Sequence, residues 1–160
     1  MENISKQFGE FCLNNKYKVV TAESCTAGLI GATIAMTPGS SGWLDRGFIV
    51  YTPESKNEML DVDFATIDKY DITSVEVAQE MAIGAIHNSN ANFSLAVTGL
   101  AGSTGGTKDI PAGTICMAWA ILENKKIRVV SEKKFFKGER NDIREAVVEY
   151  MLDKAMTLKT

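Results

Sequence analysis

YKVVTAESCTAGLIGATIAM, residues 17–36, reads as a strand that turns directly into a helix. YKVVTAE is a short β-branched run of the kind that forms a buried strand. The chain turns at Ser24, Cys25 and Thr26, and AGLIGATIAM reads as a helix rich in small residues. Gly28, Gly31, Ala32 and Ala35 would let that helix lie close against a sheet, and Pro38 with Gly39 ends it. A strand followed at once by a close-packed helix is the repeating unit of α/β domains.

The flanking segments extend this pattern. Ile4, Phe8, Phe11 and Cys12 recur at helical spacing, so a helix precedes the strand. RGFIVYT is a second strand, followed by a short helix around ESKNEML. Thr73 with Glu76 reads as a capping box that opens a helix with Ala78, Met81, Ala82, Ala85 and Ile86 on its inner stripe. FSLAVTG is a third buried strand. TICMAWAIL and KIRVVSEKKFF form an antiparallel hairpin across Glu123, Asn124 and Lys125. A last helix runs from about Asn141 with Ile143, Val147, Met151 and Ala155 inward. The expected fold is a single three-layer α/β/α domain over residues 1–160, with a mixed, mostly parallel sheet and a C-terminal hairpin.

Composition narrows the function. The 160 residues carry 17 basic and 20 acidic side chains, a net charge of −3, so no nucleic-acid partner is expected. An anionic ligand would need a local cationic site. No apolar stretch reaches the length of a membrane span, and MENISKQFGEF lacks the basic start and apolar core of a signal peptide. A cytoplasmic protein with no membrane partner is expected. Three scattered cysteines, Cys12, Cys25 and Cys116, argue against a disulfide framework. With a single histidine, His87, and no grouped carboxylates, neither a metal nor another cofactor is expected.

Ser24 projects from the carboxyl end of a strand, where ligands of open α/β sheets bind. It reads either as the N-cap of the following helix or as a nucleophile facing the helix-start N–H groups. Cys25 reads as a buried, inert thiol. A nucleophilic serine needs a base, and His87 has no visible link to Ser24. Lys56 follows the RGFIVYT strand and could serve if burial lowers its pKa; otherwise it is a solvated helix residue. Tyr51 could relay a proton or orient the lysine, or simply pack its ring. GLAGSTGGTKDIPAG, residues 99–113, is either a glycine-rich cradle for phosphate or ribose or a mobile loop. Arg140 and Arg144, one helical turn apart near a helix start, would either hold an anion or pair with a carboxylate.

Together TAESCTAG (21–28), GSSGWLDRGFIVYTPESK (39–56), EMAIGAI (80–86), VTGLAGSTGG (97–106), PAGTICMAWA (111–120) and FKGERNDIR (136–144) resemble the CinA C-terminal domain family. Its enzymatic members are nicotinamide-nucleotide amidases. The resemblance implies metal-free conversion of nicotinamide mononucleotide and water to nicotinate mononucleotide and ammonia. It implies Ser24 as nucleophile, Lys56 as base and Tyr51 as a third catalytic group. Thr98, Gly99, Gly102, Gly105, Gly106 and Arg140 fall on the family's substrate-binding positions, and Thr21, Glu23, Cys25, Thr26 and Arg46 complete the expected set. A small-molecule nucleotide substrate and a homo-oligomer, a dimer or higher, are the implied partners. Ala27, Ser103 and Glu139 depart from the usual pattern. The alternative is a catalytically inactive nucleotide-binding or regulatory paralogue of the same fold.

Overall fold

Every residue of strand β1 (Val19–Glu23) is buried, because the strand lies inside the sheet and is covered on both faces. The structure, a computed structural model, describes residues 1–158. Helix α1 (Glu2–Asn15) precedes β1, and α2 (Leu29–Ile34) links it to β2 (Leu44–Ile49). Helices α3 (Pro53–Leu60), α4 (Phe64–Tyr70) and α5 (Val75–His87) lead to β3 (Phe93–Gly99). Then β4 (Thr114–Glu123) and β5 (Lys126–Phe135) form a hairpin, and α6 (Arg140–Thr157) follows.

The sheet order is β2-β1-β3-β4-β5. β1 pairs in parallel with β2 and β3, whereas β3–β4 and β4–β5 are antiparallel. Two successive reversals bring β5 back into the direction of β1, so only β4 opposes the other strands. The hairpin turns on Asn124 and Lys125, both in the left-handed region, which suits a two-residue loop.

The two sheet faces differ in side-chain size. Phe93, Leu95, Ile115, Met117 and Trp119 form one core with α1, α2 and α6. The other face carries Ala22, Ala96, Cys116, Ala118 and Ala120, against Ala78, Ala82 and Ala85 of α5. Small residues on both sides bring α5 close enough for Ser94 to donate a hydrogen bond to the Ala82 carbonyl at 2.8 Å. Close approach continues at Gly84, where a Cβ would run into the Leu60 carbonyl. On the opposite face the Trp119 indole donates to the Met151 carbonyl at 3.1 Å and fixes α6 to β4.

Several expected boundaries move. The helix read over 27–36 shortens to α2, with Gly28 and not Ser24 as its N-cap. The second strand begins earlier and stops at Ile49. Ser74, not Thr73, caps α5 by accepting from the Val77 N–H at 3.2 Å. Helix α4 occupies a stretch with no clear apolar period in the sequence.

Parallel strand direction decides where function can sit. The carboxyl ends of β1, β2, β3 and β5 share one edge of the sheet. Ser24, Lys56, the 99–113 loop and the start of α6 all follow those ends.

Candidate active site

The site begins with strand alternation. Successive β1 side chains point to opposite faces, so Glu23 and Ser24 diverge. Glu23 is buried on the α2 side, where its carboxylate accepts from the Thr26 hydroxyl at 2.7 Å and from the Ile30 and Gly31 N–H groups at 2.8 and 3.0 Å. These are first-turn donors of α2, so the helix start is already occupied. Glu23 and Thr26 therefore shape the turn and do not reach the cleft. This replaces the expectation that helix-start N–H groups face a ligand.

Ser24 leaves the sheet with its N–H still donating to the Val97 carbonyl at 3.0 Å. The chain then reverses in a tight turn closed by the Ala27 N–H on the Ser24 carbonyl at 3.0 Å. Ala27 at φ 47 and Gly28 at φ 97 supply the left-handed conformations that the turn needs. Ser24 and Cys25 line a cleft of about 260 Å³, together with Tyr51, Thr98, Gly102 and Arg140.

Lys56 arrives from α3. Thr52 and Ser55 form a capping box and Pro53 occupies the first turn, so the start of α3 is firmly set. Helical side chains lean toward the N-terminus, which aims Lys56 back at the end of β2. Lys56 is 0% exposed. Its Nζ lies 2.9 Å from Ser24 Oγ and 2.8 Å from the Val50 carbonyl oxygen. The Val50 N–H in turn donates to the Glu23 carbonyl at 2.9 Å, so the sheet sets the distance between lysine and serine. Among the described residues, no carboxylate forms an ion pair with Lys56. Burial lowers its pKa from 10.5 to about 8, which leaves roughly a tenth of it neutral at pH 7. Neither Arg46 nor Arg140 is needed for that shift.

Tyr51 is 53% exposed and sits at the cleft mouth. Its hydroxyl accepts from Arg140 Nη2 at 2.8 Å, and Arg140 Nη1 donates to the Ala101 carbonyl at 3.1 Å. Tyr51 is thus tied to Arg140 and makes no hydrogen bond to Lys56. Arg140 bridges the β2–α3 connection and the glycine-rich loop, with its guanidinium in the cleft wall. Thr98 lines the same wall while its hydroxyl donates to the Ile72 carbonyl at 3.0 Å.

The loop glycines have different tasks. Gly102 borders the cleft with no atom closer than 3.7 Å to a Cβ placed there. Gly99 is required by β4, since a Cβ would lie 2.7 Å from the Thr114 carbonyl oxygen. Gly105 and Gly106 hold φ of 91 and 82 and do not border the cleft lined by Ser24. Gly106 borders a neighbouring hollow with Thr107 and Ile110.

The remaining candidates lie elsewhere or act differently. Arg46 is near the amino end of β2, paired with Asp45 at 2.7 Å and donating to the Asn88 carbonyl at 3.2 Å. The structure does not bring it to the cleft. Thr21 is fully buried in β1 beneath Gly47, away from the cleft. Burial pushes the Cys25 thiol up to about 12, so it is a poor competitor for Ser24. Arg144 pairs with no carboxylate among the described residues; it donates to the carbonyls of Cys25 and Thr26. Ile72, Thr73 and the Val50 carbonyl were not found by sequence reasoning. Backbone groups and an apolar wall leave no chemical signature in a sequence. No cluster of three His, Cys, Asp or Glu residues suited to a metal occurs among the described residues.

Known proteins resemble this chain over nearly its whole length. A family model described as CinA C-terminal domain matches residues 1–158. An Enterobacter agglomerans protein named nicotinamide-nucleotide amidohydrolase PncC is 35% identical over 98% of this chain and 93% of its own length. The protein of that name from Escherichia coli K12 is 34% identical over 93% of this chain and 88% of its length. A CinA-like protein of Chlorobium chlorochromatii is 41% identical over 74% of this chain, a match spanning only 28% of that longer protein. Among solved structures, the competence/damage inducible protein CihA from Agrobacterium tumefaciens superposes with a TM-score of 0.88 at 34% identity, covering 98% of this chain and 95% of its own.

Proposed function

Because this chain belongs to the CinA C-terminal domain family, we propose that it hydrolyses the carboxamide of nicotinamide mononucleotide, with Ser24 as nucleophile and Lys56 as its base. The observation that carries this reading is the 2.9 Å contact between Lys56 Nζ and Ser24 Oγ in a buried setting without a paired carboxylate. A lysine held that way is neutral often enough to accept a proton near neutral pH.

The reaction proceeds as acyl transfer. Neutral Lys56 takes the Ser24 proton as Oγ bonds to the carboxamide carbon, and the carbonyl π electrons move to oxygen. The N–H of Cys25, which lines the cleft, stabilises that oxyanion. The intermediate collapses with cleavage of the C–N bond, Lys56 returns the proton to nitrogen, and ammonia leaves a nicotinoyl ester on Ser24. Water then attacks the ester carbon while Lys56 accepts its proton, and that proton returns to Ser24 as nicotinate mononucleotide departs. The alternating acid and base roles use one lysine with a pKa of about 8.

Arg140 and the loop around Gly102 would hold the phosphate and ribose at the cleft wall. Tyr51 enters as the group that orients Arg140. The three free, buried cysteines suit a reducing cytoplasm. The implied homo-oligomer is read by sedimentation.

The decisive experiment incubates the purified protein with nicotinamide mononucleotide and measures ammonia and nicotinate mononucleotide. Equimolar release supports the reading. Ligand binding without release would select the inactive paralogue instead.

A further inference from the structure

The Ser24–Gly28 turn is held by one cation that the reaction scheme above does not use. Arg144 Nε donates to the Cys25 carbonyl at 3.1 Å, and Arg144 Nη2 donates to the Thr26 carbonyl at 2.8 Å. Nη1 is steadied by Asn141 Oδ1 at 3.1 Å, one helical turn away. Arg144 thus binds peptide dipoles with both sides of its fork.

Those dipoles lead to the nucleophile. The Thr26 carbonyl belongs to the peptide whose N–H, on Ala27, donates to the Ser24 carbonyl at 3.0 Å. The Ser24 carbonyl belongs to the peptide whose N–H is that of Cys25, a residue lining the cleft. The Cys25 carbonyl, bound to Arg144 Nε, belongs to the peptide of the Thr26 N–H, which has no hydrogen-bond partner among the described residues. Hydrogen bonding at a carbonyl makes the N–H of the same peptide a stronger donor, and the effect adds along a chain of bonds.

We infer that Arg144 is a positioning residue that polarises this turn, strengthening the Cys25 N–H at the cleft wall as an oxyanion donor. The inference rests on the Ser24 reading and deepens it. Arg144 acts through two peptide units and needs no contact with substrate. A guanidinium suits the task because its charge is permanent and its donors form a rigid fork.

Covalent labelling tests this independently of the true substrate. Ser24 is reacted with a fluorophosphonate, whose phosphoryl oxygen takes the oxyanion position, and both the rate constant and the final stoichiometry are measured by mass spectrometry. Arg144→Ala should slow labelling about tenfold, less than the loss of a whole oxyanion donor, while still reaching full stoichiometry. A purely structural role would instead lower the final stoichiometry and leave the rate constant of the folded fraction unchanged. Arg144→Gln keeps hydrogen-bond donors but loses the charge, so it serves if the alanine variant does not fold. Its labelling should also be slow, and Arg144→Lys should recover part of the rate. A glutamine variant that labels at the wild-type rate would overturn the inference. If the wild-type protein resists labelling at Ser24, the nucleophile reading falls, and this inference with it.

Discussion

Ser24 and Lys56, 32 positions apart in the chain, meet at 2.9 Å because each is tied to the end of β1. Ser24 continues the strand, and Lys56 bonds to the carbonyl of Val50, whose N–H bonds to Glu23. In the proposed reaction, a base and nucleophile fixed to one strand end would need no induced rearrangement.

The pair should therefore behave as one unit under mutation. Ser24→Ala and Lys56→Ala are each expected to abolish turnover of nicotinamide mononucleotide, and the double variant should lose little more. Lys56→Arg should be as inactive as Lys56→Ala, because a guanidinium does not give up its proton at this pH. Initial rates of ammonia release provide the test, and an active Lys56→Arg enzyme would end the Ser–Lys account.

The pH profile follows from the lysine. With its pKa lowered to about 8 by burial, the reactive neutral form accumulates as pH rises. The turnover rate should climb about tenfold per pH unit below a midpoint near 8 and level off above it. A rate that falls across this range would exclude Lys56 as the base.

The same shift makes Lys56 a stability liability. Its folded pKa lies below its unfolded value, so the unfolded chain binds the extra proton between about 8 and 10.5. Stability is reduced throughout the range below about 8 and recovers as pH rises toward 10.5. The shift corresponds to roughly 3 kcal/mol, from which two lost hydrogen bonds remove about 1 kcal/mol each. Lys56→Met should thus be stabilised by about 1 kcal/mol at pH 7, raising the melting temperature by about 2–4 °C. That advantage should shrink between pH 8 and 10.5 in calorimetry.

Arg140 and Tyr51 should govern binding more than chemistry. Arg140→Ala is expected to raise KM for nicotinamide mononucleotide by about tenfold or more, while the slow turnover of nicotinamide itself hardly changes. Tyr51→Phe frees one guanidinium edge now bonded at 2.8 Å and should produce a smaller effect in the same direction. Equal losses on both substrates would assign Arg140 to the fold or to the chemistry.

Ala27 offers a backbone test. It holds φ 47, where a Cβ is strained. A β-branched replacement, Ala27→Val, should cost about 2 kcal/mol in denaturant unfolding and lower turnover by disturbing the Ser24 turn. Ala27→Gly should retain both stability and activity, since relieved strain offsets the greater freedom of the unfolded chain.

Much of this architecture was legible because apolar periodicity records burial. The Ile143–Val147–Met151–Ala155 stripe of α6 and the runs that became β3 and β4 are buried as read. The candidate site could be proposed from the sequence only through the resemblance of its motifs. By composition Lys56 resembles any solvated helix lysine, and only the Val50 carbonyl and the packing around it reveal otherwise. Arg46 and Arg140 are both arginines near strand or helix ends, yet β2 starts at Leu44, so Arg46 falls toward the opposite edge. The shortness of α2 was hidden because nothing in the sequence says which face Glu23 takes.

Strand parity insulates the proposed reacting pair. Glu23 and Ser24 are adjacent in sequence, yet the two-residue repeat of β1 places a carboxylate on one side of the sheet and the hydroxyl beside Lys56 on the other. A frame shift of one residue in this strand would exchange them. The carboxylate would then face the ammonium and hold its proton, so that Lys56 could not serve as a base. The register of β1 thus holds the electrostatics of the proposed pair as well as the packing of both faces.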